Sequence, residues 1–508
     1  WGGLGAPTPQ PFASQLVQPS RAMALGAALC FLGLAFAPQT AAAARWLLDV
    51  QGPGADEPPG PGWGSGAWLV LGVGVVWHGF LLVAAGGPLI QTDSWVNLFE
   101  PDLLHPWPDP YHHPPLYSGV VKVFGRGPHF LLGLWALVAL QHALVLGMGL
   151  TAEASVRRTS GSAAGGACAG LLIVLCGHLA LYAQMVMSEV VSTAWVVLAL
   201  ALVCEAARRA RGGPWLLVGG CAAAAGTLTR QAMQGWFVVG LLAVLCLRFG
   251  RWQRAVALFL LGAAAPVLAM VAHNAVFHGR ASLTAAVGRN LYYRLTPGMP
   301  DLTDPDAAPG DPYERARALI WERREGTKGY SEAYAAIQGE LGWTDAQTEA
   351  AMKRFYLEQA LRHPRAFAGV TLGFAWELIR AQENPYSVLQ HHNQVLPRVP
   401  EVWADLPQAE LRTPLAARGF AFQPTSLWPC LLLAAVAPLL VGGRARVLAL
   451  AALASAAYFV TITALVELPL PRYRLPGIPF LAIACGLSVS GVCERARRWR
   501  ARSPEEAA

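Results

Sequence analysis

Charge is what this sequence has least of: Asp, Glu, Lys and Arg supply 14% of its 508 residues. Soluble globular chains carry roughly 25%, so a water-facing globule is excluded as the main architecture. Cysteine patterns that hold metals are missing too. The nine cysteines show no CxxC and no Cys/His ligand spacing. Most fall inside apolar runs (Cys168, Cys176, Cys204, Cys221, Cys246, Cys485), where thiols act as small apolar fillers. The long polar stretch 277–426 has none, so it folds without disulfides even in an oxidising space. No internal repeat of about 20–50 residues is visible, which excludes a solenoid.

What is there instead is apolar sequence: 54% hydrophobic residues and a mean hydropathy of +0.39. The runs recur along most of the chain and predict several membrane-spanning helices rather than one anchor. Candidate spans are 66–88, 129–150, 162–182, 186–204, 214–229, 236–249, 255–276, 427–441, 447–465 and 478–492. Some are short for a hydrocarbon core of about 30 Å, so they extend into polar flanks or cross at thin spots. The fold class expected is an all-α polytopic membrane protein of about 10–11 transmembrane helices.

The net charge of +7 does not call for nucleic acid. Arg157 and Arg158, then Arg208, Arg209 and Arg211, then Arg248, Arg251 and Arg254, then Arg444 and Arg446, and finally the tail ERARRWRAR all fall on one side when the spans alternate. That is the positive-inside pattern, so this side is cytoplasmic. Loop 91–128, segment 277–426 and the loop around Arg472 are then exoplasmic. The stretch 21–44 resembles a signal peptide, with Met23 as a candidate start. Cleavage there would invert every later loop. An uncleaved extra span is therefore expected, followed by a Pro/Gly-rich cytoplasmic linker at 51–62.

The expected organisation is an N-terminal extension at 1–65, a seven-span module at 66–276, an exoplasmic helical segment at 277–426, and three C-terminal spans with a basic tail at 427–508. Within the exoplasmic segment, Thr344 and Gln347 form a capping box that opens a helix running to about Leu361. The stretch 363–380 is amphipathic at helical spacing and suits a helix on or beside the membrane surface.

The loop at 91–118, QTDSWVNLFEPDLLHPWPDPYHHPPLYS, holds four carboxylates and three histidines beside a span. Ionisable chemistry at a lipid boundary is a functional-site hypothesis by default. Asp93 could bind a divalent cation or act as general base; on local grounds a helix N-cap is the safer reading. His113 and Tyr117 could meet phosphate oxygens, or simply belong to a proline-broken interfacial loop. Glu189 opens a span at the level of Asp93; its bland reading is a solvated glutamate at a helix start. Arg230 breaks the positive-inside trend and needs a partner, either a phosphate or a buried carboxylate. Arg472, Tyr473 and Arg474 are again exoplasmic, as a phosphate clamp or as side chains snorkelling to lipid headgroups.

In order and spacing these elements resemble the bacterial membrane glycosyltransferases of the GT-C fold, in the protein O-mannosyltransferase and lipid A aminoarabinose transferase branch. The matching elements are Asp93, HPPLY at 113–117, Glu189, LTR at 228–230, HNAVFHG at 273–279, GRNL at 288–291, ALRHP at 360–364 and RYRLP at 472–476. The family usually has lysine before the proline pair, where this chain has His113, and Asp-Glu where it has Asp93 and Ser94. The resemblance covers about 66–492, and the order of the motifs carries it.

It implies a GT-C-like bundle that transfers a sugar from a polyprenyl-phosphate donor to a lipid, glycan or protein acceptor. The reaction would occur on the outer face of a bacterial inner membrane. Asp93 and Glu189 would be catalytic and the candidate ligands of Mg²⁺ or Mn²⁺. Arg230, Arg472, Arg474, Tyr473, His113 and Tyr117 would hold the donor phosphate. The partners implied are the donor, the acceptor and membrane lipids, with no nucleic acid. A flippase without bond chemistry is the runner-up; it would place its charges near the bilayer midplane on broken helices.

Overall fold

The computed structural model describes residues 64–91, 94, 114–125, 130–209, 211–247, 249–278, 281–284, 291, 311–323, 329–380, 384–396, 406, 408, 410, 413–426, 428–466 and 469–502. Those residues are almost wholly helical; their only bridge between extended segments is a single parallel pair, Leu89 with Met185. The extra span read at 21–44 lies outside the described residues.

Every span read from residue 66 onward falls on one helix, except 162–182, which falls on two. The first part of the bundle is α1 (Ser65–Ala84), a short α2 (Pro115–Gly125), α3 (Phe130–Ser160), α4 (Ala163–Val174), α5 (Gly177–Gln184) and α6 (Glu189–Ala206). It continues with α7 (Gly213–Thr229), α8 (Trp236–Cys246) and α9 (Trp252–His278). The polar segment supplies α10 (Pro312–Arg323), α11 (Gly329–Leu341), α12 (Asp345–Arg362), α13 (Pro364–Arg380), α14 (Pro385–Val395) and α15 (Pro414–Ala421). The chain closes with α16 (Trp428–Leu440), α17 (Gly443–Val466), a 3₁₀ turn at Pro471–Gly477 and α18 (Ile478–Arg502). Among the described residues six helices are long and apolar enough to cross a membrane, and seven if the pair α4–α5 counts as one bent span.

That pair departs from the single straight helix expected at 162–182. The chain bends by 44° between α4 and α5, because Cys176 leaves the helix for an extended conformation. Gly177 then gives its N–H to Phe422 O across the bundle (2.7 Å). The break is a tertiary event: the backbone donor is satisfied by α15's exit rather than by the preceding turn. α3 in turn runs ten residues past the expected end at Leu150, to Ser160.

Packing sorts the helix ends into two sets, as alternation requires. At the basic end Arg158 meets Glu205 at 3.3 Å and Arg209 meets the same carboxylate at 2.8 Å. Ser160 bonds Ser490 at 3.0 Å, and Arg495 donates to Leu439 O at 2.9 Å. The opposite ends gather the loop roots and the polar helices. Tyr356 of α12 donates to Leu465 O at the end of α17 (2.6 Å), tying the polar segment onto that rim. α10 to α12 have a core of their own around Leu319, Ile337, Met352 and Phe355. The capping box at Thr344 and Gln347 is formed in both directions.

α7 packs against α6 on one side and α9 on the other. Between α7 and α9 the backbones nearly touch: a Cβ on Gly220 would lie 2.2 Å from Phe259 O, and one on Gly262 2.2 Å from Leu217 O. Small residues permit this approach, which is how helices associate where burial against lipid supplies no drive. Gly220→Leu is expected to force the pair apart and destabilise the bundle by about 1–3 kcal/mol, read as a lower midpoint of thermal unfolding in detergent. The shift would also move Arg230, which stands immediately after α7.

Candidate functional site

α7 ends because Arg230 adopts extended backbone angles (φ −154°, ψ 133°). Its side chain then reaches sideways to the first residue of α6. There Arg230 Nη1 lies 2.8 Å from Glu189 Oε1 and 3.3 Å from Ser188 Oγ. Glu189 is fully buried, while the arginine side chain is 15% exposed. The cation that breaks the positive-inside trend thus has the partner it needs, a desolvated carboxylate.

The guanidinium also lies 5.2 Å from the centre of the Tyr473 ring, within cation–π range. Tyr473 accepts a hydrogen bond on its hydroxyl from Arg472 Nη2 (2.9 Å), and the Arg472 guanidinium is 4.8 Å from the same ring. Two cations from distant parts of the sequence therefore converge on one tyrosine beside one acid. Glu189 Oε2 is buried with no hydrogen-bond partner among the described residues. An orphaned carboxylate oxygen in such a place marks a position for a proton, an acceptor hydroxyl or a cation. Arg230 commits a single nitrogen, Nη1, to its contacts with Glu189 and Ser188.

Two residues of the expected clamp are engaged elsewhere. Arg474 is buried and donates from Nη1 to Ile379 O (3.0 Å), so it caps the last turn of the amphipathic helix α13. Tyr117 on α2 is fully buried, and its hydroxyl donates to Gln141 Oε1 (3.0 Å). Burial, with the Glu189 carboxylate adding to it, pushes the Tyr117 phenol well above its ordinary range. A neutral phenol that donates its hydrogen bond to a buried amide is a structural tie between α2 and α3. Asp93 and His113 lie outside the described residues.

What the structure shows of Asp93's loop is its root. α1 stops at Ala84 and turns on Gly86, whose φ of 77° suits glycine in the left-handed region. The chain then pairs with the end of α5: Leu89 N donates to Gln184 O and Val186 N to Leu89 O, each at 2.9 Å. Ile90 N donates to His392 Nδ1 of α14 (2.9 Å), so the polar segment also grips the root. Ser94, just past Asp93, accepts from Gln91 N at 2.9 Å. Leu89 is thereby held against Val186, three residues before Glu189.

Sequence reading passed over the side chains that build this support: His78, Gln141, His142, Gln184 and His392. All are buried. For His78, Gln141 and His142 the signal was present, since histidine and glutamine inside apolar spans seldom occur without a task.

No family model matches the chain, and no curated protein matches it. Solved structures do. The chain is similar to the archaeal oligosaccharyltransferase AglB from Archaeoglobus fulgidus, in complex with an inhibitory peptide and a dolichol-phosphate. The identity is 13% over 87% of this chain and 52% of that one, with a TM-score of 0.42. It is also similar to ArnT from Cupriavidus metallidurans bound to undecaprenyl phosphate, at 12% identity over 85% of this chain and 79% of that one, with a TM-score of 0.33. The chain spans about half the length of the archaeal protein.

Proposed function

We propose that this chain is a membrane glycosyltransferase that moves a sugar from a polyprenyl-phosphate donor to an acceptor hydroxyl or amine. We place the reaction at the exoplasmic face of a bacterial inner membrane. The observation that carries the reading is the Glu189–Arg230–Tyr473–Arg472 cluster, set on the rim opposite the basic helix ends. A lipid-linked donor keeps its tail between helices and presents its phosphate at that level. Fixed cations there stabilise the charge that builds on the phosphate as it leaves. The order of the sequence motifs supports the same reading.

In this mechanism Asp93 takes the proton of the acceptor nucleophile. The nucleophile forms a bond to the anomeric carbon as the bond from that carbon to the phosphate oxygen breaks. The electron pair goes to the phosphate, which Arg230 and Arg472 hold. Glu189 keeps Arg230 aligned and offers Oε2 to the reacting groups. A divalent cation fits the orphaned Oε2, and Asp93 with Glu189 would hold it. It would supply Lewis-acid polarisation of an oxygen. Among the described residues no cluster of three or more such ligands is formed.

The bent span α4–α5 favours a second reading, a flippase for lipid-linked sugars, because transporters use broken helices at their sites. The Glu189 cluster, however, joins helix ends and not helix middles. Mass spectrometry of lipid-linked sugars in cells with and without the protein, after a membrane-impermeant reagent has labelled the outer leaflet, separates the two. A transferase is expected to leave its donor accumulated on the outer leaflet of the deletion strain and its glycoconjugate missing. Accumulation confined to the inner leaflet would identify the flippase.

Arg472→Ala is expected to raise the donor KM about tenfold, the loss of one charge-assisted contact worth roughly 1.4 kcal/mol. The check is a transfer assay over a range of donor concentrations; an unchanged KM would remove Arg472 from the clamp.

A further inference from the structure

The support beneath the loop root is two sets of hydrogen bonds, centred on neighbouring residues of α3. Gln141 Nε2 donates to Ala183 O (2.9 Å) and Met185 O (2.6 Å), while its Oε1 takes the Tyr117 hydroxyl. His142 Nε2 is 3.0 Å from Gln184 Oε1, and its Nδ1 is 2.7 Å from His78 Nδ1 of α1. Gln184 Nε2 in turn donates to Gly87 O (2.7 Å). Gln141 therefore holds the far side of the loop, through Tyr117, and the α5–α6 junction. His142 holds the near side, through Gln184 and Gly87.

The tautomers follow from the ends of this chain of bonds. Gly87 O accepts only, so Gln184 turns its amide nitrogen to it and its oxygen to His142. His142 must then carry its proton on Nε2 and accept on Nδ1. His78 supplies that bond from Nδ1–H, and the Val174 backbone also lies beside the buried His78 ring. His142 has one donor and one acceptor role, as a neutral ring does.

We infer that Gln141 and His142 are positioning residues that set both stems of the Asp93 loop against the first turn of α6. The inference rests on the transferase reading for what the loop is positioned to do. The geometry of the stems stands without it. Neither side chain touches Glu189 or Arg230 in any of these contacts. Their effect passes through Gly87, Leu89 and Met185 to the spacing between the loop stems and the start of α6, where Glu189 stands. Reaction rates respond steeply to such spacing: a displacement of about 1 Å costs on the order of a hundredfold.

The test compares His142→Phe with His142→Gln in the purified full-length protein. Phenylalanine keeps the ring shape and loses both bonds. Glutamine carries an acceptor and a donor in the same 1,3 arrangement as imidazole nitrogens. In the Phe variant the amide of Leu89 is expected to exchange hydrogen at least tenfold faster, and kcat to fall about tenfold or more with donor KM within about twofold. The Gln variant is expected to restore both readouts to within about threefold of wild type. His78→Asn, which keeps a donor where Nδ1–H stood, should resemble the Gln variant. Exchange at Leu89 unchanged in the Phe variant, or Phe and Gln variants equally impaired, would overturn the inference. A wild-type protein that transfers no sugar would instead defeat the transferase reading, while the exchange measurement still tests the stems.

Discussion

Arg230→Ala is expected to abolish sugar transfer and to destabilise the bundle at the same time. The substitution leaves Glu189, fully buried, as an uncompensated charge. Breaking a buried pair from one side costs about 3–5 kcal/mol, which thermal unfolding in detergent should register as a clear drop in midpoint. Adding Glu189→Gln removes the stranded charge, so the double variant should recover most of that loss. Transfer should stay absent, because the phosphate clamp and the acid are both gone. Arg230→Lys separates charge from geometry: an ammonium can still meet Glu189 Oε1 but has no planar fork for a second oxyanion. It is expected to keep most of the stability and to bind donor more weakly. An Arg230→Ala protein as stable and as active as wild type would remove the pair from both roles.

Asp93→Asn is expected to lower transfer by roughly 10²–10⁴-fold, the range general-base catalysis supplies, while insertion, folding and donor binding stay intact. Asparagine keeps the size and hydrogen-bonding reach of the side chain and loses the capacity to take a proton. The measurement is single-turnover transfer with donor in excess, paired with donor binding under the same conditions. Retention of near wild-type rate would show that the proton goes elsewhere. A matching loss of donor binding would place Asp93 in the clamp rather than at the acceptor. The described chain that leads toward Asp93 is gripped by two elements: α5, through Leu89 and the Gln184 bond to Gly87, and α14, through His392.

Several of these features were legible in the residues themselves. The helix opened by Thr344 needs a hydroxyl and an amide three positions apart, a purely local requirement, and it formed as read. The spans follow from runs of apolar residues, because lipid leaves the backbone no partner but itself. Arg230, Arg472 and Glu189 stood out because each is costly at a lipid boundary unless paired. Tyr117 and Arg474 show what the residues alone do not reveal: their partners, Gln141 Oε1 and the carbonyl of Ile379, come from remote segments.

The break after Val174 was equally hidden. Nothing in AGLLIVLCGHLALY marks position 176 as the place to leave a helix. The departure is stabilised by the carbonyl of Phe422, some 245 residues later in the chain. The sequence alone determined which segments are helical, which ends group together, and which charged residues need explaining, since those depend on solvent preference and periodicity along the chain. Only the tertiary structure decided the partner of each polar group. In a water-poor interior every donor must find an acceptor in space, and the acceptors come from helices far apart in sequence.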